Sequence, residues 1–135
     1  MIENLKKLEN LINSELTSKI QSSFIANDEL SIEINENDLI EIIQFLKSNE
    51  KCKFRQLIDI AGVDYPNEEK RFKLVYLFLS HENNCRIKLS INFQPKQIIN
   101  SITKIFPAAN WMEREVFDMY GIKFKDHPDL RRILT

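Results

Sequence analysis

The sequence predicts an α+β fold, with helices packed on a mostly antiparallel sheet in the order α-β-β-α-β-β-β-α. Three observations carry this. The first twenty residues repeat apolar positions at helical spacing. Three later stretches, "ELSIEI", "RFKLVYLFLS" and "CRIKLSINF", place apolar residues at alternate positions, as strands do. Short runs of Asn, Asp, Gly or Pro separate most of these segments, and such residues make turns.

Ile2, Leu5, Leu8, Leu11, Ile12, Leu16 and Ile20 mark one apolar stripe, so a helix is expected over 2–21. "SFIAN" and "ELSIEI" follow as two short strands joined by "ANDE", with Leu30, Ile32 and Ile34 alternating. Asn35 or Asn37 is placed to cap a second helix, whose packed side is Leu39, Ile42, Ile43 and Leu46. "CKFRQLIDIAGVDYP" reads as a strand that breaks at Gly62 and Pro66, with Asp64 capping the turn. In "RFKLVYLFLS", Phe72, Leu74, Tyr76 and Phe78 form one face, and Val75, Leu77 and Leu79 make the other apolar too. This strand is therefore expected to be central and covered on both sides. "NN" at 83–84 marks a hairpin turn before "CRIKLSINF". A short turn over 101–106 precedes Pro107. Asn110 is then placed to cap a helix over 111–120, and Gly121 to end it.

The 135 residues make one domain, with an N-terminal α-β-β-α part over 1–50 and the sheet and last helix over 51–135. A net charge of −1 argues against a general nucleic-acid binder, which carries a basic excess. Cys52 and Cys85 stand alone, outside any CxxC, and read as reduced small hydrophobes. They do not suffice for a four-ligand zinc site or an iron–sulfur cluster. No apolar run approaches the roughly 20 residues that span a bilayer. The N-terminus lacks the apolar core of a secretory signal and mixes Glu with Lys, so the chain is expected to work in the compartment where it is made. With two glycines, it has no Gly-rich phosphate loop. His81, in the polar turn "SHENN", reads as solvated.

The most informative stretch is "EREVFDMYGIKFKDHPDLRRIL", Glu113 to Leu134. It holds five carboxylates, three arginines, two lysines and one histidine among large apolar residues. On the helix, Trp111, Glu115 and Asp118 line up with Arg114 beside them, while Glu113, Phe117 and Tyr120 form a second stripe. Pro128 suits the first turn of a further short helix ending near Arg131 and Arg132.

Three readings of the stretch compete. Acid–base catalysis needs one carboxylate raised in an apolar pocket, whereas three nearby arginines are expected to keep Glu113, Glu115 and Asp118 ionised. A metal site on His127, Asp118 and Glu115 lacks a second histidine at ligand spacing. An ion-pair network at a protein interface fits best, because aromatic and Arg anchors concentrate at interfaces and would not be strewn along a solvated face.

These residues also carry a resemblance. Glu113-Arg114-Glu115, Asp118-Met119-Tyr120-Gly121, His127-Pro128, Arg131 and Ile133-Leu134 resemble the signature of the thirty-kilodalton subunit of the proton-pumping NADH–quinone oxidoreductase, respiratory complex I. It is the C-type subunit of the bacterial enzyme, and is called subunit nine when encoded in mitochondria. The likeness extends upstream through "FRQLIDIAGVDYP", "RFKLVYLFLS", "RIKLSI" and "SITKIFPAANWMEREVFDMYGI". It is firm over 54–135 and holds in outline before that.

The resemblance implies an α+β assembly subunit that is not itself catalytic. It implies no cofactor in this chain, with FMN and the iron–sulfur clusters in partner subunits. The implied place is the hydrophilic arm, on the cytoplasmic face of the bacterial inner membrane. There it would lie against the D-type subunit, which helps form the quinone pocket, with the B-type and I-type subunits nearby. Trp111, Glu113, Arg114, Glu115, Phe117, Asp118, Tyr120, Gly121, His127, Pro128, Arg131 and Arg132 are then the expected partner interface. Membrane-bound hydrogenase-like complexes use a similar subunit, which is the alternative assignment; a stand-alone acid–base enzyme is the remaining one. Family members continue past "LRRIL" into a basic, proline-containing tail that wraps over the D-type subunit. The sequence here ends at Thr135 and is expected to lack that tail.

Overall fold

The computed structural model describes residues 2–128. A first helix, α1, spans Ile2–Glu15 and buries Leu5, Leu8 and Ile12. It ends about a turn and a half before the expected limit of 21. Residues 16–19 turn instead, and Ile20 starts strand β1, Ile20–Ala26. Leu16 and Ile20 keep helical spacing, but pairing with a neighbouring strand outweighs that local signal: Ile20 lies opposite Ile34. β1 turns through Asn27 and Asp28, both at positive φ, into β2, Glu29–Ile34. Two residues of that conformation are what a tight hairpin requires.

Asn35 accepts the Asn37 amide at 2.9 Å and starts a 3-10 turn, which runs into helix α2, Leu39–Ser48. Leu39, Ile42, Ile43 and Leu46 of α2 are buried, as their spacing predicts. Three long strands follow: β3 Gln56–Asp64, β4 Phe72–Ser80 and β5 Cys85–Phe93. They pair antiparallel in sequence order. β2 adds alongside β5 in parallel, giving the order β1-β2-β5-β4-β3. The N-terminal and C-terminal halves thus share one sheet and one core.

The break expected at Gly62 does not occur. β3 continues to Asp64, which pairs with Arg71 through two hydrogen bonds of 2.7 and 2.9 Å and does not cap a turn. Nor is β4 covered on both sides. Leu74, Tyr76 and Phe78 are fully buried against the helices, while Val75, Leu77 and Leu79 are only partly buried. Among the described residues the helices contribute to one core, on one face of the sheet, so the second apolar row of β4 lies on the other side. Cys52 and Cys85 are free thiols, both raised by burial, Cys52 to about 11.

Past β5 the chain makes strand β6, Ile99–Asn100, then a turn, then helix α3, Ala109–Tyr120. A last short strand, β7 (Phe124–Lys125), pairs in parallel with β6.

Candidate functional site

α3 and the two short strands carry most of the charged signature. α3 begins earlier than its expected Asn110 cap. The preceding turn supplies carbonyls instead: the Ala109 amide donates to Phe106 at 2.9 Å and the Asn110 amide to Pro107 at 3.1 Å. Lys47 of α2 holds that turn from behind, with its Nζ 2.6 Å from the Ile105 carbonyl and 5.0 Å from the centre of the Phe106 ring. At the other end Gly121 takes a left-handed conformation, φ 74°, and its amide closes on the Phe117 carbonyl at 2.8 Å. This is the glycine stop the sequence predicts.

The helix has two unlike faces. Inward, Ala109, Glu113 and Val116 are buried, with Met112 and Tyr120 packed against the core. Tyr120 donates its hydroxyl to the Gly62 carbonyl at 3.0 Å, and its ring lies where a side chain on residue 62 would be. A Cβ there would stand 2.5 Å from the ring, so β3 needs glycine at that point to let α3 approach. Outward, Trp111 is 52% exposed and Met119 74% exposed. The Trp111 Nε1–H donates to Glu115 Oε1 at 2.6 Å, and the Arg114 guanidinium lies 5.4 Å from the Trp111 ring centre. Of the expected grouping of Trp111, Glu115 and Asp118 with Arg114 beside them, Trp111, Arg114 and Glu115 come together. Asp118 and Phe117 are half-buried on the same helix.

Glu113 departs from expectation. Its side chain is wholly buried, and among the described residues its partners are not arginines. Oε1 accepts the Ser101 hydroxyl at 2.7 Å, and Oε2 accepts the Ile102 amide at 2.9 Å. Burial pushes its carboxyl up to about 7, against which these two hydrogen bonds pull down. For Arg114 the expectation that nearby arginines keep every carboxylate ionised fails here, because the helix turns Glu113 to the core while the Arg114 guanidinium lies beside Trp111. Arg114 Nε is itself buried, with no hydrogen-bond partner among the described residues.

His127 joins the same buried group. Its ring donates Nε2–H to the Asn110 carbonyl at 3.0 Å, and that nitrogen stands 3.9 Å from Glu113 Oε1. Pro128 is exposed. Arg131 and Arg132, and the short helix expected there, lie outside the described residues. Among the described residues no three His, Cys, Asp or Glu side chains group as metal ligands.

Sequence reasoning missed two participants. Ser101 and Ile102 meet Glu113 from a turn eleven and twelve residues away, with no periodic signal to announce it. One signal was available: Ala109, Met112, Val116 and Tyr120 form an apolar stripe at helical spacing, and Glu113 falls inside it.

Comparison with known proteins agrees with the signature. The family model for the respiratory-chain NADH dehydrogenase 30 Kd subunit matches residues 32–135. The C-type subunit of NADH-quinone oxidoreductase from Chelativorans sp. (strain BNC1) is 44% identical over 135 residues, covering 100% of this chain and 68% of that protein. The same subunit of Rhodospirillum rubrum is 42% identical over 134 residues, covering 99% and 63%. The chain spans about two thirds of the length of these relatives. Among solved structures, the trypsin-resistant fragment of Nqo5 superimposes with a TM-score of 0.78 at 25% identity, covering 91% of this chain and 98% of the fragment. A chain of the membrane-bound sulfane sulfur reductase, an archaeal respiratory membrane complex, shares the fold with a TM-score of 0.80 at 19% identity, covering 96% and 76%. Signature, fold and relatives converge, and the chain belongs to the family of the respiratory-chain NADH dehydrogenase 30 kDa subunit, the C-type subunit of NADH–quinone oxidoreductase.

Proposed function

We propose that this chain is a structural subunit of the hydrophilic arm of NADH–quinone oxidoreductase, and that the outer face of α3 grips a neighbouring subunit. The observation that carries the reading is the exposure of Trp111 and Met119 on a helix whose inner face is already packed. Trp and Arg are the residues most often found as energetic anchors in protein interfaces. Here the Trp111 ring is held in place by Glu115 and flanked by Arg114, so little side-chain freedom remains to be lost on docking.

Family resemblance suggests the D-type subunit, beside the quinone pocket, as the occupant. The B-type and I-type subunits would lie nearby, and His127, Pro128, Arg131 and Arg132 would extend the contact. In this reading FMN and the iron–sulfur clusters belong to partner subunits. The chain then supports electron transfer from NADH to quinone, coupled to proton translocation, from the cytoplasmic face of the membrane. Among the described residues no helix is long and apolar enough to cross a membrane, which is compatible with a peripheral position. A stand-alone acid–base role is disfavoured by the burial of Glu113, which leaves its carboxyl no surface on which to meet a substrate.

Co-purification tests the proposal. The tagged chain, recovered from gently solubilised host membranes, should bring the D-type subunit and NADH–quinone activity with it. Trp111→Ala should lose both while the isolated chain keeps its melting temperature. Recovery of a hydrogenase-like large subunit would keep the grip and change the machine. Full retention of the D-type partner by Trp111→Ala together with Met119→Glu would sink the outer-face assignment.

A further inference from the structure

Glu113 sits where three pieces of chain meet. It projects from α3, holds the turn after β6 through Ser101 and Ile102, and faces His127 in the segment after β7. β7 is tied to the same turn: the Ile99 amide donates to Lys123 at 3.0 Å and the Ser101 amide to Lys125 at 2.9 Å. Among the described residues, the following groups lie around the carboxyl or close to it. From β4 comes the Tyr76 hydroxyl, buried and without a hydrogen-bond partner among the described residues, raised first by that burial and then by the Glu113 charge. From the segment after β7 comes the His127 imidazole. The turn between them offers only the Ser101 and Thr103 hydroxyls and the Ile102 amide. Lys104, Lys125 and Asp126 line a small cleft together with Ser101, and on α3 itself Arg114 and Glu115 contact Trp111.

The two protonation states of Glu113 ask different things of this surrounding. Neutral, the carboxyl is fully matched: its O–H donates to Ser101 Oγ and its carbonyl oxygen accepts Ile102 N–H. His127 then keeps its bond to the Asn110 carbonyl, observed at 3.0 Å. Ionised, the group is a buried charge with two donors on it, and it needs a third donor or a cation. One is near: His127 Nε2 stands 3.9 Å away, about an ångström beyond hydrogen-bond length.

We propose that Glu113 is a proton-operated latch on the segment after β7, acting through His127. Protonated, it leaves His127 seated on Asn110. When its proton is released to solvent, the carboxylate draws the His127 N–H from Asn110 to itself. The consequence for docking rests on the reading of this segment as interface. The latch does not rest on it, and the chain without its partners tests it.

The experiment is NMR on the full chain labelled at glutamate carboxyls and histidine rings, followed from about pH 5 to about pH 9, a window clear of ordinary glutamates. The latch predicts one shared midpoint for the Glu113 carboxyl, the Ile102 amide and the His127 Nε2. In Glu113→Gln, which imitates the protonated form, the Ile102 amide should stay at its low-pH position throughout and the shared step at His127 should vanish. The proposal is overturned if the Glu113 carboxyl titrates wholly below this window, if Ile102 does not move with it, or if His127 moves identically in the variant. Should Glu113→Gln fail to fold, the coincidence of the three wild-type midpoints decides alone. A failed latch with normal recovery of the D-type partner would leave the docking proposal intact.

Discussion

Glu113 and Glu115 are two residues apart on one helix, and they live in different media. Glu115 is exposed and braces an exposed tryptophan. Glu113 is sealed in the core, where it stands in for the backbone partner that the turn at 101–102 lacks. Composition and charge density are equal at the two positions. What differs is the side of the helix, about 200° apart at 100° per residue. A run of charges in a signature is therefore not one feature. Its inner members hold the domain together, and its outer members are available to something else.

The sharpest way to break this comparison is to truncate each carboxylate in turn. Glu113→Ala leaves the buried Ile102 amide unpaired, while the Ser101 hydroxyl keeps Thr103, and should cost the free chain about 1–3 kcal/mol. Glu115→Ala should cost it less than about 0.5 kcal/mol. Urea unfolding of the two variants measures both, and equal losses would mean the faces are not distinct.

Acidity sharpens it further. The Glu113 carboxyl is raised from 4.5 to about 7, so the folded chain holds its proton more tightly than the unfolded chain does. That contribution to stability is full below the unfolded value near 4.5, falls as pH rises through the folded value near 7, and is flat beyond. At 1.36 kcal/mol per unit, the difference amounts to about 3 kcal/mol at most. Wild type should therefore lose stability relative to Glu113→Gln between these limits. Parallel pH profiles from thermal melts would contradict it.

Gly62→Ala probes the inner face from the sheet. The added methyl meets the Tyr120 ring at 2.5 Å, and the overpacking should cost about 1–3 kcal/mol. Pairing it with Tyr120→Leu, which clears the ring, should recover part of that loss in a double-mutant cycle. Additive losses would show that the close approach is not what requires glycine.

The smallest expected effect on the isolated chain is Trp111→Ala, within about 0.5 kcal/mol, since half of the ring already faces water. Its effect on partner affinity should be the reverse, about 2 kcal/mol or more if Trp111 anchors the interface. Calorimetry of the free variant and its binding to the neighbouring subunit report the two numbers separately.

Much of this was legible in the sequence because it is local. The α+β class, the order of the main elements, the two-residue turn at Asn27-Asp28, the buried stripe of α2 and the Gly121 stop all follow from spacing and turn chemistry within a few residues. The signature itself, read as a string, points to the family. The remainder depended on contacts between distant segments. Ile20 left a helical pattern to pair with Ile34, because a ladder of hydrogen bonds outweighs helix spacing. β2 lies parallel to β5, leaving the second apolar row of β4 off the helical face. Gly62, read as a breaker, is a strand residue kept small for Tyr120. Glu113, read as one ion-pair partner among several, is a core residue whose partners come from another turn of chain. Local propensity ranks what a segment prefers; burial decides which charges can stay charged, and burial is a property of the assembled fold.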